Sequence, residues 1–347
     1  MGISKATYKI VYEGKDITRD LEGEVISLSY RDKTIGEADE ISLVLKDELH
    51  KWKSSWNPQK GDKLEANIIT GDQLLRCGEF SIDEVDFLGS AEGGDTVSIK
   101  ALSAGVRTSV RTKSSFAHEG KTLKQVAQKI ADKYNYRVQG IIHNYSIGRI
   151  TQFHETDLGF LHRIAEEYGY VFSLRGNILV FTYLPDLCNT KAAIDVDFAD
   201  AKLNYQIRDK VAGIYVRGQY RYHNRKEKKL YDGLVNAGAN PSADVFRSVD
   251  HIDNDEHGLY KVDGRMYKKN MEQVEINCTV PGNVILVSGI NVNMTNWFNY
   301  SGKFFLSESS HIVDGNNNYV TGCQFKKIVP NQKTGNKAGE KVGYTAE

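Results

Sequence analysis

Apolar and polar residues alternate with period two through most of the first hundred positions. Tyr8, Ile10 and Tyr12 alternate with polar neighbours ahead of a turn at Glu13-Gly14-Lys15-Asp16. Val25, Ser27 and Ser29 fall on one face of a second strand, and Ile26, Leu28 and Tyr30 on the other. Ile41 to Leu45 makes a third. Gly61-Asp62-Lys63-Leu64 leads into Ala66 to Ile69, and Thr70-Gly71-Asp72 turns the chain back. Cys77 to Val85, a turn at Gly93-Gly94-Asp95, and Val97 to Ala101 complete the series. Short strands at regular spacing between turn signals predict a small sandwich or barrel.

Near residue 113 the period changes. Thr122 and Gln125 form a capping box, in which side chain and backbone at a helix start satisfy each other's hydrogen bonds. Leu123, Val126, Ala127, Ile130, Ala131 and Tyr134 then recur at helical spacing as one apolar stripe. A second helix is predicted from Thr156, with Asp157 in the first turn, where the helix dipole favours an anion. Leu158, Leu161, Ile164, Ala165 and Tyr168 form its stripe, and Gly169 suits the left-handed residue that ends a helix. Tyr170 to Leu174, a turn at Arg175-Gly176-Asn177, and Ile178 to Tyr183 read as a hairpin.

From about 191 strands return: Lys202 to Arg208, Val211 to Tyr220, Glu272 to Val280, Ile285 to Val292, Lys303 to His311 and Tyr319 to Ile328. The expected fold is mainly β with an α/β insert. Residues 1–112 form an N-terminal barrel-like domain and 113–190 the small helix-hairpin insert. Residues 191–330 form a second barrel-like domain carrying an insertion at about 221–270. The polar stretch 331–347 has no apolar period and is expected to be a flexible tail. No short tandem repeat is visible. Sequence alone leaves open whether the two flanking β regions are structural cousins.

Composition adds to this picture in three ways. Tyr 19, Phe 13 and Gly 31 with Pro 5 suit strands punctuated by turns. The 45 basic residues equal the 45 acidic ones, so nothing demands nucleic acid or an anionic membrane as partner. The Cys 4, at 77, 188, 278 and 323, make no C-x-x-C pair and are expected to be reduced and buried. The start, MGISKATYKI, has no apolar core of signal-peptide length, and no stretch is long enough for a membrane helix. A soluble protein made in a cytoplasm, with no membrane anchor, is expected.

The search for chemistry returns little. Glu155, Asp157, Glu166 and Glu167 cluster, but without a second acidic motif they read as a solvated helix face or an intersubunit salt bridge rather than a catalytic pair. His251 to Gly258 is rich in ligand types. Against a calcium loop, however, His257 stands where Asp or Asn is wanted and Gly264 where the closing Glu belongs, so a solvated loop is expected. No nucleophile elbow or phosphate-binding glycine loop is present. The basic run Arg221 to Lys229 reads as a charged hairpin tip in preference to a nucleic-acid site. No catalytic residue, cofactor or metal site is assigned.

Ile150-Thr151-Gln152-Phe153-His154-Glu155-Thr156-Asp157 followed by Phe160-Leu161-His162-Arg163-Ile164-Ala165-Glu166-Glu167-Tyr168-Gly169 resembles a signature of the late control protein D family of contractile-tailed phages. The same pattern occurs in the N-terminal half of the type VI secretion protein VgrG. Gly289 after Pro281 to Ser288, then Gly302 to Leu306, His311 and Tyr319-Val320-Thr321 resemble that family's closing strands. The resemblance is strongest over 120–185 and 280–328.

The resemblance implies a non-enzymatic baseplate hub of a phage tail, an R-type bacteriocin or a related contractile injection system. It implies a homotrimer whose two barrel-like tube domains per chain present six similar units. Such a ring adapts a three-fold central spike protein to a six-fold inner tube or tube-initiator protein. Baseplate wedge proteins and a tape measure are further partners implied, and no sequence-specific nucleic acid. The chain would be made in the bacterial cytoplasm and assembled in the baseplate of a virion or phage-tail-like particle. Gln152, Glu155, Asp157, Phe160, Leu161, Arg163, Glu166, Gly169, Gly289 and His311 are expected to serve structure or interface. Glu155 and Asp157 would cap and orient the helix or pair across the interface, and His311 would satisfy a turn or the core. Two rival readings are a tail-associated cell-wall hydrolase using Glu155 or Glu166, and a carbohydrate- or nucleic-acid-binding β protein using Arg225, Lys226, Lys228 and Lys229.

Overall fold

The computed structural model describes residues 4–34, 38–90, 94–103, 112–175, 177–201, 204–225, 228–236 and 244–329. The expected tail at 331–347, and with it Gly93, Gly176, Lys202 and Lys226, lies outside the described residues. The first region holds β1 (Ser4–Lys5), β2 (Thr7–Tyr12), β3 (Lys15–Asp16), β4 (Val25–Lys33), β5 (Glu40–Lys46), β6 (Lys63–Thr70), β7 (Gln73–Ser90) and β8 (Gly94–Ser103). The middle holds β9 (Ser114–Thr122), α1 (Leu123–Lys133), β10 (Arg137–Gln139), β11 (Ser146–Glu155), α2 (Asp157–Tyr168), β12 (Tyr170–Arg175), β13 (Ile178–Tyr183) and α3 (Leu184–Asn189). The remainder holds β14 (Ile194–Asp197), β15 (Asn204–Asp209), β16 (Tyr215–Asn224), β17 (Lys229–Asn236) and β18 (Asp244–Ser248). It continues with α4 (Asp255–Asn270), β19 (Val274–Pro281), β20 (Asn291–Thr295), β21 (Gly302–Asp314) and β22 (Asn318–Lys327). The protein is mainly β with few helices, as the alternation predicts.

The two flanking β regions share one 14-stranded sheet, in the order β15-β19-β22-β21-β4-β5-β8-β7-β6-β2-β3, with β1 joined to β22, and β20 to β21 and β14, off this path. Within it the same five-strand pattern occurs twice. β4-β5-β8-β7-β6 in the first region corresponds to β15-β19-β22-β21-β20 in the second. The match extends to irregularities. β7 bulges between Ile82 and Glu84, and β21 between Leu306 and Glu308. Gly61 (φ 95°) and Gly289 (φ 88°) occupy equivalent left-handed turns. Their amides donate to the equivalent carbonyls of Ile82 (2.7 Å) and Leu306 (2.8 Å). Pairing on β5 and β19 then aligns Ser27-Leu28-Ser29-Tyr30-Arg31-Asp32 with Asn204-Tyr205-Gln206-Ile207-Arg208-Asp209. Arg31-Asp32-Lys33 recurs as Arg208-Asp209-Lys210.

Each copy of the pattern closes over its own core. Ile41, Leu43, Leu45, Phe80, Val97 and Ile99 pack in the first, and Ile276, Trp297, Phe304, Leu306 and Phe325 in the second. The β21–β22 hairpin belongs to both, since Val313 and Tyr319 near its tip join the first core. The insert has a separate core of both helix stripes with Tyr170, Leu179, Phe181 and Tyr183.

Several local expectations change. The predicted alternation in β4 breaks at a register shift between Val25 and Ser27, so Val25, Leu28 and Tyr30 are all buried. The strand expected at Ile285 to Val292 starts only at Asn291, because Gly289 turns the backbone and Ser288 is drawn to Asp32. The strand expected from Val211 starts at Tyr215, after a turn at Gly213 (φ 79°). The insertion expected at about 221–270 begins earlier, with β16 at Tyr215: β17-β16-β18 form a sheet covered by α4. The solvated loop expected at His251 to Gly258 spans only His251 to Asn254 before α4 begins, and the Asn254 side chain caps the helix by accepting from the His257 amide (2.8 Å).

Candidate assembly interface

The signature residues form one polar knot at the start of α2. Thr156 supplies the cap, accepting from the Gly159 amide at 3.1 Å, so Asp157 is released from that role. Asp157 is buried and accepts from Lys133 Nζ (2.6 Å), Tyr134 Oη (2.7 Å) and Gln152 Nε2 (2.8 Å). Burial pushes its carboxyl up, but these donors outweigh it and hold it below its ordinary value. Gln152 also donates to the Glu155 carbonyl at 3.0 Å and to Ser114 Oγ at 2.9 Å. Glu155 receives a forked pair of bonds from Arg163, both 3.0 Å, and Arg163 reaches the Thr151 carbonyl at 2.8 Å. Phe160 and Leu161 are fully buried, with Phe160 stacked on His118 at 5.4 Å.

The far end of α2 meets α4. Glu166 pairs with Lys268 and Glu167 with Lys261 (2.7 Å), so the expected solvated or intersubunit acidic face is an ion-paired seam within the chain. Gly169 (φ 71°) ends α2 and lies backbone to backbone on Gly264. A Cβ at Gly169 would come within 2.3 Å of the Gly264 carbonyl carbon. A side chain fits neither side of that contact.

A third cluster ties the insert to the sheet. Arg175, at the end of β12, donates to Asp32 (3.0 Å) and to the Ser288 carbonyl (2.9 Å). Asp32 is buried and also accepts from the Ser288 amide (2.8 Å) and hydroxyl (2.6 Å). Asp39, nearby and buried, is pushed up to about 7 by desolvation and by Asp32. His311 is completely buried beside the same loop. Its Nε2 donates to the Leu286 carbonyl (3.1 Å), which leaves Nδ1 to accept from Tyr319 Oη (2.7 Å). Burial pulls the imidazole down to about 4, so it is neutral. Gly289 sits in that loop as its left-handed turn.

Asp32, Arg175 and Ser288 were not singled out in the sequence. The signal that could have found Asp32 is the recurrence of Arg-Asp-Lys at 31–33 and 208–210. The polar side chains of the ligand-rich segment serve the fold: Asp253 accepts from the Gly148 amide (2.7 Å). Among the described residues no three His, Cys, Asp or Glu side chains could hold a metal ion. All four cysteines are free and buried, and Cys278 faces Cys323 across β19–β22. No helix among the described residues is long and apolar enough to cross a membrane.

Two of the strand edges left open among the described residues belong to the repeated five-strand pattern. β15 pairs only with β19, and β7 beyond its bulge pairs only with β8. Both carry exposed apolar side chains: Tyr205 on β15, and Phe87 and Leu88 on β7. Open edges of this kind are templates for pairing with another chain.

Half of the chain aligns with the "Probable baseplate hub protein" of Escherichia phage 186, at 27% identity over 177 residues and 44% of that protein. The counterpart in Escherichia phage P2 aligns at 26% identity over 182 residues, again 50% of this chain and 44% of the relative. The chain is similar to phage baseplate hub proteins. The alignment spans less than half the length of these relatives. No protein-family model matches. The likeness in fold to solved tail proteins extends over nearly the whole chain. The tail protein of Neisseria meningitidis MC58 superposes with a TM-score of 0.70 at 14% identity, covering 93% of this chain and 97% of that one. A type VI secretion component of E. coli superposes with a TM-score of 0.51 at 12% identity, covering 91% and 76%.

Proposed function

We propose that the chain is the structural hub at the centre of a contractile tail baseplate, forming a trimeric ring between a three-fold spike and a six-fold tube. The internal repeat carries this reading. Two equivalent β units per chain let three chains offer six near-identical sectors, which is what a symmetry adaptor needs. Residues 1–112 and 191–330 are read as the two tube domains. Residues 113–190, with α4 packed against them and β16–β18 packed on α4 as an insertion in the second tube domain, form the outer wall. The similarity to phage 186 and P2 hub proteins supports the same role. The role requires no catalysis. Glu155 and Glu166, the acids a hydrolase would use, are each engaged by a cation of the same chain.

Light scattering on the purified chain, alone and with the candidate spike trimer, tests the reading. The expected mass is three times the 39.0 kDa chain, alone or within a three-to-three complex. A chain that stays monomeric at all concentrations and ignores the spike overturns it.

A further inference from the structure

We infer that the ring is closed by antiparallel pairing of β7 residues Glu84–Gly89 of one copy with β15 of the next. The pairing would reproduce between chains the β21–β4 junction within the chain. This rests on the hub reading and names the surfaces that make it. Inside the chain, the second unit joins the first where β21, beyond its bulge, pairs with β4. The first unit has the corresponding strand, β7 beyond its own bulge, with that side open. The second unit has the counterpart of β4, which is β15, also open on its outer side. One chain therefore ends in the two halves of a junction it already contains once. A contact that joins different surfaces of successive copies builds a ring when its rotation closes. Here the rotation between copies would equal the one between the two units.

The equivalence fixes the register. Glu308 opposite Lys33, Ser310 opposite Arg31, His311 opposite Tyr30 and Ile312 opposite Ser29 become four pairs between copies. They are Glu84 with Lys210, Asp86 with Arg208, Phe87 with Ile207, and Leu88 with Gln206. Side-chain charge is complementary, although Glu84 already pairs with Lys100 (2.9 Å) and Lys210 with Glu272 (3.1 Å) within the chain, so these pairs would be shared or exchanged. Glu84 and Asp86 on one edge meet Arg208 and Lys210 on the other. Within the chain, Arg31 pairs with Glu308 at 3.3 Å, and the same diagonal between copies joins Arg208 to Glu84. Ser288, which binds Asp32, corresponds to Lys60, which would face Asp209. His311 and Tyr30 stack at 6.0 Å and are 0% and 5% exposed, whereas Phe87 is 38% exposed for want of the same cover. Gly89 falls opposite Tyr205, with the Asp95 carboxylate over the glycine.

Two readouts test the pairing on the full chain. In the first, Leu88→Cys with Gln206→Cys, and separately Phe87→Cys with Ile207→Cys, are oxidised with copper-phenanthroline in air. At least one pair is expected to give two- and three-chain species on a non-reducing gel. The single-cysteine variants should give none, and an equimolar mixture of two complementary singles should give the dimer. In the second, Glu84→Lys with Asp86→Lys, and Arg208→Glu with Lys210→Glu, are each expected to weaken association at least tenfold. All four changes in one chain should restore it. A wild-type trimer whose cysteine pairs stay unlinked and whose charge variants assemble normally overturns the pairing and leaves the hub reading standing. A wild type that is monomeric, alone and with the spike, overturns both.

Discussion

At the residue scale, His311 and Gly264 make the sharpest predictions. The buried imidazole titrates at about 4, against 6.5 in the unfolded chain, so the unfolded state takes up its proton first as pH falls. The stability tied to His311 is full above pH 6.5, is lost as pH falls towards 4, and is constant below. The loss is roughly 3 kcal/mol at 1.36 kcal/mol per pH unit. Asp39 acts in the opposite sense, since a carboxyl raised to about 7 loses its contribution as pH rises from 3.8 through 7. The test is therefore the difference between wild type and His311→Gln. In urea unfolding that difference should shrink from pH 7.5 to pH 4.5. Gly264→Ala places a Cβ 2.7 Å from the Tyr168 carbonyl oxygen and 2.9 Å from the Gly169 Cα. Backbone cannot yield as a side chain end can, so a loss of about 2 kcal/mol is expected, read as a lowered melting temperature.

At the element scale, α1 and α2 were legible because stripe and cap lie within a few residues of each other, whereas the six-residue α3 shows no stripe and was missed. The box at Thr122 and Gln125 forms as its spacing requires, with bonds of 3.2 and 3.1 Å. The cap of α2 was legible only in part. Thr156 takes it, and Asp157 instead binds α2 to Lys133 and Tyr134 at the end of α1 and to β11. Asp157→Asn keeps the shape and removes the charge. It is expected to cost about 2 kcal/mol, the scale of hydrogen bonds to a buried ion, measured by chemical unfolding at neutral pH. The strand expected at Ile285 to Val292 failed for the converse reason. Its apolar residues answer to separate neighbours, Val287 to the first core and Leu286 to the second.

At the scale of the whole molecule, one sheet runs through both β regions, and its repeat sets the expected stoichiometry. Two sectors per chain make three copies a six-sector ring, and a mass of two or four chains would contradict it. The 45 acids balance the 45 bases over the whole chain, but not along the two edges proposed to pair. Charge is distributed so that one open edge is acidic and the other basic, although the total is zero.

Local patterning by itself determined that the chain is β, then α/β, then β. It also determined where α1 and α2 start, and the signature at 150–169 pointed to a hub. These features depend on residues within one or two turns of each other, so the linear order contains them. Only the tertiary structure decided that the flanking regions are copies of one pattern sharing a sheet. Sheet pairing joins residues far apart in sequence, as Asp314 to Ser27, and nothing local encodes the partner. The Arg-Asp-Lys recurrence at 31–33 and 208–210 becomes a signal only when the strand register brings both copies to equivalent places. The polar contacts of Asp32, Arg175 and Ser288 arise the same way, from three distant segments that meet because the sheet folds them together.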